Sequence, residues 1–150
     1  MFVSQALPDQ NGAVWRYAPG SGFKRLEILV FKPQPNSTWN DLDKSLDHPL
    51  SLFDVAPVDA AVRKLTGRRF GELLLRLRVA SGVEKKGEGY LVGTGCQPHA
   101  CNSEQGFIGI DRNAHAVFLA VNRDGKIAMW PDVARWPELL RGEFNAWRRN

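Results

Sequence analysis

The sequence predicts an α+β fold: an antiparallel sheet of about five strands, helices packed on one face and at the C-terminus, and an additional N-terminal hairpin. Apolar residues recur at helical spacing over residues 57–77 and again near the C-terminus. Between these segments, four strand-like runs separated by short turns fill residues 88–130. Short turns join antiparallel neighbours, so these runs are expected to form one sheet. With 150 residues, of which 43% are hydrophobic, the chain is long enough to bury one core.

The first element expected is a β-hairpin. Two strand-like runs, residues 13–17 and 26–31, flank the sequence Pro19-Gly20-Ser21-Gly22. Glycine, proline and serine between two such runs are typical of a loop that reverses the chain. A piece of about 30 residues is too small to be stable alone. We therefore expect the hairpin to pack on the rest of the chain or on a second subunit.

A connector follows the hairpin. Residues 33–51 are polar and contain Pro33, Pro35 and Pro49, so only one helical turn, near residues 39–46, is expected there. We therefore divide the chain into an N-terminal hairpin with its Pro-rich connector, residues 1–50, and a main domain, residues 51–150.

Two helices are predicted at the start of the main domain. Asp54 is the candidate N-cap of the first helix, Pro57 suits its first turn, and Gly67 is the expected stop. A second helix is expected from Phe70 to about Leu77. The apolar positions at helical spacing are Val58, Ala61, Val62 and Leu65 in the first helix, and Phe70, Leu73, Leu74 and Leu77 in the second.

The strands of the main sheet come next. They are predicted near residues 88–95, 104–111, 115–122 and 126–130. Arg112-Asn113 is expected to form one turn, and Asp124-Gly125, a strong hairpin signal, another. The last helix is predicted after Trp136, with Pro137 at its first position and an apolar stripe of Leu140, Phe144 and Trp147.

The two cysteines of the chain lie in one short motif, Cys96-Gln97-Pro98-His99-Ala100-Cys101. If they are oxidised, they close a very small ring that holds His99 near its tip. A ring of this size stabilises a folded protein by only about 2 kcal/mol. Its main effect, together with Pro98, is to remove loop conformations before a partner binds, which raises affinity by lowering the ordering cost.

Other interpretations of the cysteines are open. They could be two free buried thiols. A zinc site would need further ligands, and the only other candidates, His48 and His115, lack a suitable spacing. A redox pair is more often Cys-x-x-Cys, and a cysteine protease needs a Cys–His geometry that so short a loop does not favour. We therefore favour the disulfide-closed loop and expect neither a metal nor a cofactor.

The motif and its flanks resemble the Ivy family, the inhibitors of vertebrate lysozyme. The flanks are Gly89-Tyr90-Leu91-Val92-Gly93-Thr94-Gly95 before the loop and Gly106-Phe107-Ile108-Gly109-Ile110 after it. The likeness covers roughly residues 57–130 and is close only around the loop. It departs from the family pattern at Gln97 and Ala100, where the family often has Lys and Asp, so no role is transferred to these two residues.

The resemblance implies an inhibitor and not an enzyme. C-type lysozymes cut glycan with two carboxyl groups, one protonated and one ionised. By this resemblance, His99 enters the active site and hydrogen-bonds both carboxyls, while Cys96 and Cys101 form the disulfide and Pro98 stiffens the loop. The expected partner is a C-type lysozyme or another muramidase. The resemblance also implies a possible homodimer.

The positive charge of the chain does not favour binding to a basic lysozyme. The formal net charge is +4, and C-type lysozymes are generally strongly basic. The basic residues are expected to form a solvated helix face, with contact to an acidic partner as the alternative. No nucleic-acid-binding motif accompanies them, so nucleic acid is not an expected partner. The main basic positions are Arg63, Lys64, Arg68, Arg69, Arg76, Arg78, Arg148 and Arg149.

Two other functions are compatible with the same loop. One is an immunity protein that neutralises a peptidoglycan-degrading toxin of a competing bacterium, which the basic charge and the N-terminal hairpin favour. The other is an envelope module that binds a partner without inhibiting it. An enzyme is least expected, because no nucleophile–base set or metal shell is visible.

The location follows from the same motif. No run approaches the roughly 18 consecutive apolar residues of a membrane span, so no transmembrane segment is expected. The first residues lack the basic start and apolar run of an export signal. Either such a signal has been removed or the protein stays in the cytoplasm. Because structural disulfides persist in oxidising compartments, we expect a periplasmic location.

Overall fold

A computed structural model describes residues 33–150 in full and, before them, only the backbone of three strands. The chain forms two compact units, Met1–Lys32 and Pro33–Asn150. The predicted connector, residues 33–51, belongs to the second unit. In the parts of the chain just defined, no helix combines the length and the apolar character needed to cross a membrane.

The first unit contains an antiparallel sheet in the order β1-β2-β3, with β1 at Val3–Pro8, β2 at Val14–Ala18 and β3 at Gly22–Arg25. Strand β2 confirms the predicted strand at residues 13–17. It pairs with β3, in which Gly22 is the partner of Ala18, so Gly22 lies in a strand and not in the predicted loop. The predicted strand at residues 26–31 lies outside the described residues, and β1 was not predicted.

The second unit is built on a six-stranded antiparallel sheet, which confirms the α+β prediction. The strand order is β4-β6-β7-β8-β9, and β5 also pairs with β6. Strands β7 and β9 have the predicted bounds, whereas the short β4 and β5 were not predicted. The strands are β4 Val79–Ala80, β5 Glu84–Lys86, β6 Tyr90–Cys96, β7 Glu104–Asp111, β8 Ala116–Arg123 and β9 Lys126–Trp130.

Three α-helices accompany this sheet: α1 at Ala56–Thr66, α2 at Phe70–Leu75 and α3 at Glu138–Arg148. The predicted stop of the first helix is confirmed, because Gly67 is its C-cap and has a φ of 54°. The predicted N-cap is wrong. Asp54 ends a preceding 3-10 helix, and Val55 occupies the cap position without a side-chain hydrogen bond.

Short 3-10 helices complete the second unit. The first confirms the helical turn predicted near residues 39–46, and the side chain of Thr38 caps it by accepting a hydrogen bond from the backbone amide of Asn40. The 3-10 helices are Trp39–Lys44, Pro49–Asp54, Gly67–Arg69 and Val133–Arg135.

Both faces of the main sheet are buried. Along β8, Leu119 and Val121 belong to a core shared with α1 and α2, whereas Phe118 and Ala120 belong to a second core shared with α3. Successive side chains of a strand point to opposite faces, so a strand covered on both sides must be apolar at consecutive positions. This explains the unbroken apolar run in β8. Helices α1 and α2 lie on one face, and α3 covers the other.

A pair of glycines lets the chain after α2 lie directly against the sheet. Gly95 on β6 and Gly106 on β7 are cross-strand partners. A Cβ at residue 95 would lie 2.8 Å from Cα of Leu77, and one at residue 106 would lie 2.9 Å from the carbonyl oxygen of Arg76. Real Cβ atoms do not approach backbone atoms so closely. Only glycine at these two positions therefore allows this packing.

We expect Gly106→Ala to destabilise the protein by about 1–3 kcal/mol, because the added methyl group must displace backbone atoms. Gly142→Ala is the matched control. Gly142 lies in α3, and a Cβ added there would meet no heavy atom within 4 Å, so alanine should stabilise the helix by about 0.5–1 kcal/mol. Denaturant unfolding of both variants measures the difference, and equal stability of Gly106→Ala and the parent would contradict the packing argument.

Candidate functional site

The candidate site is the loop that joins β6 to β7 at one end of the main sheet. Cys96 is the last residue of β6, and Cys101 lies three residues before β7. The two cysteines form a disulfide with their Cα atoms 4.9 Å apart, so the predicted bridge is confirmed. The ring is therefore attached to two paired strands on both sides.

The tip of this loop is a tight turn. The backbone amide of Ala100 donates a hydrogen bond to the carbonyl oxygen of Gln97, at 3.0 Å. Pro98 occupies the second position of the turn, and His99 occupies the third with a φ of 65°. This combination is that of a type II turn, which usually has glycine at the third position. A side chain at positive φ costs free energy, so the surrounding loop must hold His99 there.

Further backbone hydrogen bonds hold the base of the loop. The amide of Gln97 donates to the carbonyl oxygen of Glu104 at 2.9 Å, and the amide of Glu104 donates to the carbonyl oxygen of Ala100 at 2.9 Å. The side-chain amide of Gln105 donates to the carbonyl oxygen of Cys101 at 2.8 Å. Each half of the loop is thus tied to the first residues of β7.

A buried ion pair supports the same residue of β7. Arg76, only 6% exposed, donates two hydrogen bonds to Oε2 of Glu104, at 2.6 Å from Nη2 and 3.1 Å from Nε. Its Nη1 also donates to the carbonyl oxygen of Glu72, at 3.0 Å. A buried charge needs such partners. The expected solvated helix face is therefore wrong for Arg76. In the sequence, Arg76 stands between Leu75 and Leu77, and this local pattern does not distinguish a buried arginine from an exposed one.

Glu72 extends this pair into a network. Its carboxylate accepts hydrogen bonds from Nε of Arg69 at 2.6 Å and from Nη1 of Arg123, at the end of β8, at 3.0 Å. Burial opposes the ionisation of Glu72, but the hydrogen bond from Arg69 and the charges of the surrounding arginines outweigh it and lower the pKa of this carboxyl below its ordinary value. The base of the loop thus rests on linked arginine–carboxylate pairs.

The six predicted site residues differ in exposure. His99 and Cys101 are exposed, whereas Cys96, Gln97, Pro98 and Ala100 are half-buried. The imidazole of His99 is thus the ring that this loop presents to solvent. An imidazole carries two nitrogens on opposite sides of the ring, so an exposed one can contact two groups of a partner at once.

The other two histidines have structural contacts elsewhere. Nδ1 of His48 accepts a hydrogen bond from the amide of Leu50, so its Nε2 carries the proton and donates to the carbonyl oxygen of Arg78, both at 3.0 Å. The ring of His115 stacks on Trp39 with 5.0 Å between centroids, at the opposite end of the sheet. Within the described part of the chain, no group of three or more metal-binding side chains occurs.

We expect Glu72 to make the stability of the protein depend on acid pH. Because its folded pKa lies below the ordinary value of 4.5, its contribution is complete above about pH 4.5 and is lost as the pH falls through the folded pKa. Denaturant unfolding of the parent and of Glu72→Gln should therefore differ more at pH 7 than at pH 3. A difference of the same size at both pH values would contradict this role.

Comparison with known proteins gives one family. The family model described as inhibitor of vertebrate lysozyme (Ivy) matches residues 57–150. A curated relative, the uncharacterized protein y4bG of Sinorhizobium fredii (strain NBRC 101917 / NGR234), is 28% identical over 151 aligned residues that cover 98% of this chain. The chain spans about half the length of that relative, 55%. No solved structure matches significantly. The match covers more than half of the chain, including α1 from its second residue, the whole of the loop and the C-terminal helix, so the chain belongs to the Ivy family.

Proposed function

We propose that the protein inhibits a C-type lysozyme or a similar muramidase by inserting His99 into its active-site cleft. The observation that carries the proposal is the exposed His99 at the tip of a disulfide-closed loop. Membership of a family of lysozyme inhibitors supports the same function. The proposed inhibitory element is the whole loop, Cys96 to Cys101, with His99 as its contacting side chain.

The chemistry of the target suits an imidazole. Retaining muramidases place two carboxyl groups about 5–5.5 Å apart, one on each side of the scissile bond. An imidazole between them can hydrogen-bond one carboxyl group through each nitrogen. If it is protonated, both bonds are charge-assisted and the ring lies as a cation between two acids. The bound loop would also exclude the glycan and the attacking water from the cleft.

The rigidity of the loop favours tight binding. Association loses the conformational freedom of every group that it orders, and a loop that is already ordered loses less. The disulfide, Pro98 and the hydrogen bonds to Glu104 restrict the loop before a target arrives. The positive φ of His99 is also set in advance. The favourable free energy of contact with the target is then offset less by the cost of ordering the loop.

The proposed location is the periplasm, where a disulfide persists and where a muramidase would meet an inhibitor. A homodimer is compatible with this function. An immunity protein against a peptidoglycan-degrading toxin is the second candidate. It is favoured by Gln97 and Ala100, which replace the residues common in the family, and by the net charge of +4. A panel of vertebrate lysozymes and bacterial muramidase toxins distinguishes the two targets.

Replacing His99 by alanine is expected to weaken inhibition about 30-fold or more, as for a central contact residue of an interface. The fold should remain, because an exposed loop tip contributes little to stability. His115→Ala is the matched control, since His115 is also exposed and also has a positive φ. Inhibition constants against a panel of muramidases measure the effect. If His99→Ala inhibits as well as the parent and as His115→Ala, the insertion of His99 is wrong.

Replacing both cysteines by serine is expected to lower the free energy of unfolding by at most about 2 kcal/mol and to weaken inhibition more than it weakens the fold. The reason is that the open loop must become ordered on binding. Thermal unfolding and the inhibition constant are measured on the same Cys96→Ser/Cys101→Ser preparation. Unchanged inhibition in this double variant would show that the bridge has no part in presenting His99.

A further inference from the structure

The charged residues of the main sheet are distributed unequally between its two ends. We define the loop end by the residues that begin, end or connect strands beside the Cys96–Cys101 loop, together with the residues joined to them by ion pairs. Its basic members are Arg69, Arg76, Arg78, Arg123 and Lys126. Its acidic members are Glu72, Glu104 and Asp124. With five basic and three acidic side chains, the loop end has a net charge of +2.

The far end, defined in the same way around the turn between β7 and β8, has the opposite sign. Its basic members are Lys85, Lys86 and Arg112. Its acidic members are Asp43, Glu84, Glu88, Asp111 and Glu143. Three basic and five acidic side chains give it a net charge of −2. The side chains of the two ends of the sheet therefore carry net charges of opposite sign, with the positive end at the loop.

The exposure of the side chains strengthens this difference. At the loop end, Glu72 and Glu104 are each only 21% exposed, whereas Arg123 is 56% exposed. Glu72 faces inward to Arg69 and Arg123, which are 40% and 56% exposed, whereas the side chain of Arg76 is only 8% exposed beside Glu104. Lys126, at the start of β9, is also exposed. At the far end, Asp43 is 54% exposed beside Arg112 at 23%, and Glu84 is 68% exposed beside Lys86 at 35%, while Lys85 is itself 62% exposed. At the loop end the exposed basic groups Arg69, Arg123 and Lys126 outnumber the exposed Asp124, so a partner that approaches the loop meets a net positive charge.

We propose that the target of this loop carries carboxylates on the rim of its active-site cleft. This inference rests on the proposed function and specifies its partner: an acidic-rimmed muramidase, and not a strongly basic lysozyme. Between unlike charges, long-range attraction raises the rate of encounter, and between like charges repulsion lowers it. The hexapeptide loop adds no charge of its own apart from His99, so the surrounding side chains decide which rim it can approach.

Two probes with the same fold and opposite surface charge test the partner. They are hen egg-white lysozyme, which is basic, and the same protein with its lysine amines succinylated, which replaces each amine by a carboxylate. Association rates are measured at low and high ionic strength. We expect the parent to associate about ten-fold or more faster with the succinylated form at low ionic strength, and this advantage to shrink in salt, which screens exposed charges.

Two charge reversals show whether the position of the charge matters. Lys126→Glu at the loop end and Lys85→Glu at the far end change the net charge of the chain by the same amount. We expect Lys126→Glu to slow association with the succinylated form about 3- to 10-fold at low ionic strength, and Lys85→Glu to slow it much less. Equal effects of the two reversals would overturn the inference, because they would reflect net charge alone.

The outcomes separate this inference from the proposed function. If basic lysozyme associates faster than the succinylated form, and Lys126→Glu increases that rate, the acidic rim is wrong although the inhibitor remains. If His99→Ala binds either probe as well as the parent does, the insertion of His99 is wrong whatever the charge preference. Binding of neither probe would contradict both proposals.

Discussion

The close contact between the chain after α2 and the main sheet is the constraint on which the conformation of the Cys96–Cys101 loop depends. Gly95 and Gly106 let the backbone at Arg76 and Leu77 lie directly on the sheet beside the loop. This position buries the guanidinium of Arg76, which then needs an ionised partner, and Glu104 provides it. Because Glu104 also accepts and donates the backbone hydrogen bonds of the loop base, one packing contact determines where the loop begins and ends.

The buried pair defines a structure more than it adds stability. Desolvation of two charges roughly offsets their attraction, but removing one partner leaves an unpaired buried charge, a loss of about 3–5 kcal/mol. Any register in which Glu104 moves away from Arg76 therefore has a high free energy. The disulfide restricts the chain on the N-terminal side of Glu104, between β6 and β7. Rigidity at the tip thus comes from the base and not from contacts of His99 itself.

The sequence predicted the parts of this arrangement that depend on local patterns. The bounds of β7 and β9 follow from apolar runs and from Asp124-Gly125, both at positive φ in the turn that the hairpin requires. The disulfide followed from spacing and from family resemblance. The sequence could not reveal β5, whose residues are polar and lie at a sheet edge, or the burial of Arg76. Strand β5 pairs with the neighbouring β6, but its charged residues lack the apolar alternation that predicts a strand, and the burial of Arg76 depends on Glu104, which lies 28 residues further along the chain.

In the proposed inhibitor, stability and recognition are divided between different residues of one small region. The residues that hold the loop, Arg76 and Glu104, are buried or half-buried, whereas His99 and the basic groups around it face the solvent. Exposed residues of this kind can change with little effect on the free energy of unfolding, because surface substitutions usually alter it by less than about 0.5 kcal/mol. A change of target then requires new side chains at the tip and rim only. Gln97 and Ala100, which flank Pro98 and His99, are the other two residues of that tip.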